Sequence, residues 1–454
     1  MSIAAWAASG IGAVRRVCMS ALARLLEVNR PVPERNAPEI EAEVERNYTW
    51  NFVFNLLDGA AFSFGGAFVS ATTILPAFVS TLTTDPLPIG LVAVIAQGGW
   101  FLPQLFTANV VERLARKKAV VVNLGLFTER LPFLIIVVAA AVAARAPTLA
   151  LVLFLGGFAG HVFGAGLVAT SWQDLLARCF PVDRRGRFFG FTMFVGAGVG
   201  ALGALLSTWL LRSYPFPQNF VFVFSIAALG IMLSWVSIAL VREPVHATRA
   251  PRQSNRQFLA ALPELLRRDH NFRRFLIARC MWGLGGMGTG FVTVSAVERF
   301  QVPVSTAGLY TFALLLGQTV GNLTFGMLAD RFGHKVCLEL GISAAALGFI
   351  LAAAAPGPAW YYAVFVLLGV ASGAVIVSGL LVVMEFCEPS RRPTYIGMTN
   401  TSIGLVGSLA PLLGALLAFA GFGWLFAASA LVDLVALVLM HWWVKEPRWA
   451  TAQP

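Results

Sequence analysis

Apolar residues run along this chain in long blocks that do not alternate with polar ones. Twelve blocks lie near 50–80, 88–109, 119–143, 148–176, 188–211, 219–241, 273–298, 305–328, 336–354, 359–386, 396–419 and 422–443. Each is close to or above the roughly 20 residues a helix needs to cross hydrocarbon. Polar or proline-rich punctuation separates them, as at Thr84-Asp85-Pro86, Ala144-Arg145-Ala146-Pro147, Pro215-Phe216-Pro217 and Pro356-Gly357-Pro358. No period-two pattern runs through the blocks, which excludes an outer-membrane barrel. The pattern predicts an all-α membrane protein with twelve transmembrane helices.

Composition removes the soluble alternatives. Of 454 residues, 58% are hydrophobic and 12% charged, with a mean hydropathy of +0.76, whereas soluble domains carry about 25% charge. Neither a soluble core nor a disordered chain accommodates this balance. The net charge of +11 follows topology and does not point to nucleic acid. With the N-terminus in the cytoplasm, 28 Lys and Arg fall in inward connections and the first 47 residues, against Arg145, Arg212 and Arg299 outside. Both ends are therefore expected inside, in a plasma or inner membrane, with the basic face toward the anionic cytoplasmic leaflet.

Cys18, Cys179, Cys280, Cys337 and Cys387 show no CxxC spacing and avoid the outward loops. No metal, redox cofactor or disulfide is expected. In the first 47 residues the arginines Arg15 and Arg16 follow the small apolar stretch, reversing the order of a signal peptide. Residues 11–28 read as a moderately amphipathic surface helix and Glu34 to Glu45 as an acidic lead-in.

The chain also repeats itself. Asn51-Phe52 and Gly65-Gly66 recur as Asn271-Phe272 and Gly285-Gly286; Gly90-Leu91, Glu112-Arg113 and Lys117 recur as Gly308-Leu309, Asp330-Arg331 and Lys335. Arg242-Glu243-Pro244 and Lys445-Glu446-Pro447 close the two copies. The order of matches predicts a tail (1–47), a six-helix bundle (48–244), a cytoplasmic linker (245–271), a second bundle (272–448) and a short tail (449–454). Two such pseudo-symmetric bundles are parallel repeats of the kind that rock about a site between them.

The stretch Gly326-Met327-Leu328-Ala329-Asp330-Arg331-Phe332-Gly333-His334-Lys335 resembles the G-x-L-x-D-R-x-G-R-K signature of the major facilitator superfamily, with His334 replacing arginine. Residues Ala108 to Lys117, with Glu112, Arg113 and Arg116, form a degenerate copy. The resemblance covers about residues 48–448 and implies that superfamily's fold and secondary transport. It also implies that Asp330 and Arg331, with Glu112 and Arg113, latch the cytoplasmic side shut; a solvated loop is the bland alternative. The family's fourth-helix arginine would fall at Gly160, Gly196–Gly203 lacks the antiporter proline, and no sugar-porter sequence follows the sixth block. The subfamily stays open.

Ionisable residues deep in lipid are costly and usually functional. Asp58 lies in the first block, with Asn51 and Asn55 on its face, and Arg279 lies at similar depth in the seventh. These two are read as a proton-coupling pair that meets and separates during a cycle, with a fixed Asp58–Arg130 bridge as the structural rival. His161 is either a titrating group or a hydrogen-bonded packing residue. Glu129, Arg130 and Asp433 are read as structural, because the family's third and twelfth helices are outer supports. Gly156, Gly160 and Gly164 read as close-packing positions. Gln97, Trp100, Gln104, Trp282, Gln318 and Asn322, with Asn51 and Asn55, are candidate cavity contacts, and Thr399 and Asn400 weaker ones. Few polar groups among aromatics suit a small amphiphilic solute.

No Walker motif, HExxH or GxSxG occurs, so neither a primary pump nor an enzyme is expected. The sequence is read as a monomeric, proton-coupled secondary transporter, with export the favoured direction. A non-transporting sensor, or an assembly or delivery factor of the same fold, is the alternative. Cysteine replacements at Thr84, Ser213 or Gly357 are expected to react with an impermeant thiol reagent from outside, and replacements at Asn255 or Ser390 to resist it. The reverse pattern would refute the orientation.

Overall fold

The computed structural model describes residues 20, 22–111, 114–181, 184–245, 263–379, 381–387 and 392–447. The N-terminal half holds α1 (Ala37–Ala67), α2 (Pro86–Val111), α3 (Lys117–Val142), α4 (Pro147–Cys179), α5 (Arg185–Ser213) and α6 (Gln218–Leu240). The C-terminal half holds α7 (His270–Gly285), α8 (Thr306–Phe332), α9 (His334–Ala354), α10 (Trp360–Ser378), α11 (Arg392–Phe419) and α12 (Phe422–Trp443). Among the described residues, 11 helices are long and apolar enough to cross a membrane. The exception is α1, whose Glu39, Glu41, Glu43, Glu45 and Arg46 precede a stripe of Asn47, Asn51, Asn55 and Asp58. Packing gives α1 its place: it lies against α5 and α6 as α7 lies against α11 and α12.

Local chemistry explains where boundaries depart from the hydropathy pattern. The start of α1 is fixed by Asn36, whose side chain accepts the Glu39 N–H at 3.0 Å while Glu39 accepts the Asn36 N–H at 3.2 Å. This reciprocal cap, with a proline in the first turn, makes the acidic lead-in the opening of the helix. The first block is not one continuous helix. It breaks after Ala67 and resumes as Ile74–Leu82; the seventh becomes a tight 3-10 segment at Gly286–Phe291 before Val292–Phe300. Both breaks fall beside a Gly-Gly pair, where helix propensity is low. In α3, π-helical turns span Val120–Leu124 and Leu126–Arg130, a feature frequent at functional sites. The backbone at Thr128 lies so close to α4 that a side chain at Gly164 would collide with it.

The main helix contacts of one half have counterparts in the other. The contacts α2–α4, α3–α4 and α3–α6 match α8–α10, α9–α10 and α9–α12. The halves meet along α2–α11 and α5–α8, contacts that the repeat exchanges. They also hydrogen-bond at the end carrying the two breaks, Thr73 to Thr311 at 2.5 Å and Thr293 to the Thr72 carbonyl at 3.3 Å. Aromatic clusters fill each half: Phe78 lies 4.9–5.2 Å from Phe154, Phe220 and Phe224, and Tyr310 lies 4.7 Å from Phe365 between ring centroids. Large apolar side chains such as Leu202, Leu229 and Leu431 stay exposed on the outer surface, where lipid is the expected neighbour.

A pair of asparagine clamps closes each half. Asn51 donates to the Arg242 carbonyl at 3.0 Å and accepts the Arg242 N–H at 2.8 Å; Asn271 does the same with Lys445 at 3.0 and 2.9 Å. Asn51 tethers the middle of α1, and Asn271 the start of α7, to the residues just after the sixth helix of the same half. Asn51→Ala and Asn271→Ala are each expected to cost about 1–3 kcal/mol by stranding two backbone groups. The fully buried Asn51 should cost more, read as a lower unfolding midpoint of purified protein in detergent. A larger drop at Asn271 would contradict this account.

Candidate functional site

Two cavities hold the intramembrane charges. The first, of about 390 Å³, lies between the halves. Gln97 and Phe101 of α2 form one wall and Arg279 and Trp282 of α7 another, with Phe349 of α9 and Asp433 of α12 completing it. Arg279 and Trp282, three residues apart, share a helix face. The guanidinium sits 4.7 Å from the indole centre and the residue is 5% exposed. Asp433 is 0% exposed, and neither carboxylate oxygen has a hydrogen-bond partner. The carboxylate occupies the space a Cβ at Gly285 would fill. One turn earlier, the buried Ser429 hydroxyl also lacks a partner. The glycine-rich stretch from Gly283 to Gly290 thus lets α12 seat polar groups against the break in α7.

Asp433, read from the sequence as structural on a supporting helix, is among the residues lining the central cavity. The signal was present in sequence, as an intramembrane carboxylate together with a glycine cluster in the seventh block. Only the α7–α12 contact joins the two.

The second cavity, of about 150 Å³, lies within the N-terminal half, lined by Asn55, Asp58, Trp100, Arg130, Trp172 and Ser234. Asp58 accepts the Ser234 hydroxyl at 2.6 Å and the Trp172 indole N–H at 3.2 Å, joining α1, α6 and α4. The rival Asp58–Arg130 bridge is not made; Arg130 pairs with its neighbour Glu129. Asp58 and Arg279 are not brought together either, since they line different cavities. Equal depth in equivalent helices of parallel repeats leaves the two on opposite sides of the pseudo-symmetry axis. His161 lies with Nδ1 2.9 Å from the Glu129 carbonyl and its ring edge-on to Phe133.

Of the remaining cavity candidates, Gln97 and Trp282 line the central cavity, and Asn55 and Trp100 the smaller one. Asn51 is committed to its clamp. Gln104 donates to the Trp100 carbonyl at 2.7 Å. Gln104, Gln318 and Asn322 stand outside both linings; Asn322 packs by its backbone beside Gly373 of α10.

The signature residues engage partners within their own half. Glu243, just after α6, accepts the backbone N–H of Lys117 at 2.8 Å and of Lys118 at 3.1 Å, placing a carboxylate on the positive end of α3. Burial pushes the Glu243 carboxyl up, while those two N–H groups and the nearby Arg178 pull it down. Lys117 also pairs with Asp174 at 3.0 Å. In the second half Glu446 accepts the Lys335 N–H at 3.2 Å. Its carboxyl fills the position of a Gly333 side chain, and Gly333 has φ of 91°, a conformation suited to glycine. Lys335 reaches the His441 carbonyl at 3.0 Å, and Gly326 faces open space. Arg331 lies exposed beside Phe332. Arg116 holds the N-terminal segment through the Pro31 carbonyl at 3.0 Å and Glu27 at 3.3 Å, contacts the sequence did not signal. Glu112, Arg113 and the Asp330 side chain lie outside the described residues.

Known proteins place this architecture. The chain is 30% identical over 146 residues to solute carrier family 22 member 2 of Oryctolagus cuniculus, covering 32% of this chain and 26% of that protein. It is 27% identical over 146 residues to the inner membrane metabolite transport protein YdjE of Escherichia coli, covering 31% of each. A gallate transporter of Pseudomonas putida is 27% identical over 158 residues, covering 35% of each. The matched region thus spans about a quarter to a third of these relatives. In structure, the chain is similar to the nucleoside transporter NupG, with a TM-score of 0.62, 18% identity and coverage of 86% of this chain and 97% of that one. A bacterial homolog of the human lysosomal transporter Spinster gives 0.59 at 15% identity, covering 89% and 97%. A sequence profile of the Major Facilitator Superfamily matches residues 57–303 and 275–453, and with the paired six-helix halves this makes the chain a member of that superfamily.

Proposed function

We propose that this protein is a proton-coupled secondary transporter that carries a small amphiphilic solute by alternating access of the cavity between its halves. The observation that carries the reading is that cavity: it draws walls from both halves, mixes Trp282, Phe101 and Phe349 with two charged side chains, and lies at the surface along which the halves meet. A ligand held there touches both moving bodies, so the halves can respond to its presence. The transporter names of the relatives support the class. In the proposal both chain ends are cytoplasmic, and the Thr73–Thr311 contact closes the outer side.

Asp58 is the coupling carboxylate of the proposal. It accepts donors from α4 and α6, so its proton occupancy and the packing of these helices within the N-terminal half depend on each other. A local change inside the N-terminal half that withdrew Ser234 or Trp172, in addition to the rocking of the two halves, would tie proton occupancy to helix position. His161, fixed by the Glu129 carbonyl, packs α4 onto α3 and takes no part in coupling.

Purified protein in liposomes, given a panel of amphiphilic solutes with a proton gradient imposed or collapsed, tests the reading. Gradient-dependent accumulation of at least one solute is expected. Asp58→Asn should abolish proton-driven accumulation and leave solute exchange partly intact. Normal accumulation with unchanged pH dependence in that variant would remove Asp58 from coupling. Absence of flux for every solute would favour a non-transporting member of the fold.

A further inference from the structure

The central cavity contains a guanidinium and a carboxyl group that do not meet. Arg279 and Asp433 both line it and both are at least nine-tenths buried, yet neither forms an ion pair among the described residues. The Arg279 Nε and both Asp433 oxygens have no hydrogen-bond partner. A single charge in the membrane interior costs several kcal/mol, and a lone buried partner of a broken pair is about as costly. Arginine does not escape by deprotonation in a protein. The cavity is therefore unsatisfied as it stands, at two separate points.

The spacing of those points is readable from α7. Asp433 presses on Gly285, six residues beyond Arg279, which is about 9 Å along the axis at 1.5 Å per residue. The guanidinium lies over Trp282, half-way along that interval. The charges are thus roughly 5–9 Å apart along the helix, with Phe349 and Leu368 among the apolar walls.

We propose that the solute is a zwitterion whose anionic and cationic groups are separated by an apolar chain: its anionic group pairs with Arg279 against Trp282, and its ammonium pairs with Asp433. This deepens the transport reading and rests on it for the role of the cavity. One ligand satisfies both buried charges at once, whereas an anion or a cation alone leaves the other stranded. A zwitterion with adjacent charges cannot span the interval.

The test is equilibrium binding to purified full-length protein in detergent, by titration calorimetry with four probes of one chain length. These are ε-aminocaproate, caproate, hexylammonium and norleucine. The first should bind at least about tenfold more tightly than the others, the scale of one buried charge contact. Asp433→Asn should bring caproate level with ε-aminocaproate, and Arg279→Gln should do so for hexylammonium. Such opposite exchanges of preference do not arise from a merely damaged fold. Equal binding of all four probes by the unaltered protein, a preference for norleucine, or unchanged preference in both variants would each overturn the proposal. Counterflow in liposomes separates the two claims. Selective binding without flux leaves the site standing and transport refuted; flux of other solutes without this selectivity does the reverse.

Discussion

A charged or polar group inside the hydrocarbon has no water to turn to, so protein or ligand must satisfy it. Most of this architecture can be followed from that constraint. Asp58 is met by Ser234 and Trp172, and His161 by the Glu129 carbonyl. Each solution joins helices distant in sequence, and together they hold the N-terminal half as one body. Among the buried groups left without hydrogen-bond partners, Arg279 and Asp433 share a cavity at the meeting of the halves without meeting each other.

Broken helices make that exception possible. An intact α7 would present a closed ladder of backbone hydrogen bonds and a full set of side chains to α12. The change to a 3-10 segment after Gly285, with glycines at 285, 286, 288 and 290, leaves room into which Asp433 and Ser429 project. In α1 the corresponding break brings Gly65 against the α6 backbone at Ala227. The same local chemistry thus yields tight packing in one half and a polar recess in the other. Such asymmetry lets two similar halves form one site with distinct ends.

Outside the hydrocarbon, carboxylates tie each half to itself. Glu243 and Glu446 bind the backbone at the start of α3 and α9, and the asparagine clamps fix the first and sixth helices of each half together. Contacts within a half are those that rigid-body rocking preserves. Between the halves, α2–α11 and α5–α8 pack through small residues, including Gly90, Gly404 and Gly308, where smooth surfaces permit close approach and sliding.

The sequence by itself determined the class, the number of spans, the two-fold repetition and the superfamily resemblance. These depend on composition and on spacing along the chain, and the bilayer enforces both locally. It also identified Asp58 and Arg279 as chemically unusual. Tertiary structure decided which charges face one another. From the sequence, Asp433 reads as structural because its helix reads as an outer support, and Asp58 pairs with Arg279 because they lie at equal depth. Depth along a helix is written in the sequence, but rotation about its axis and choice of neighbour are not. The α7–α12 contact that brings Asp433 to the cavity depends on glycines 148 positions earlier in the chain, and no local pattern records that meeting.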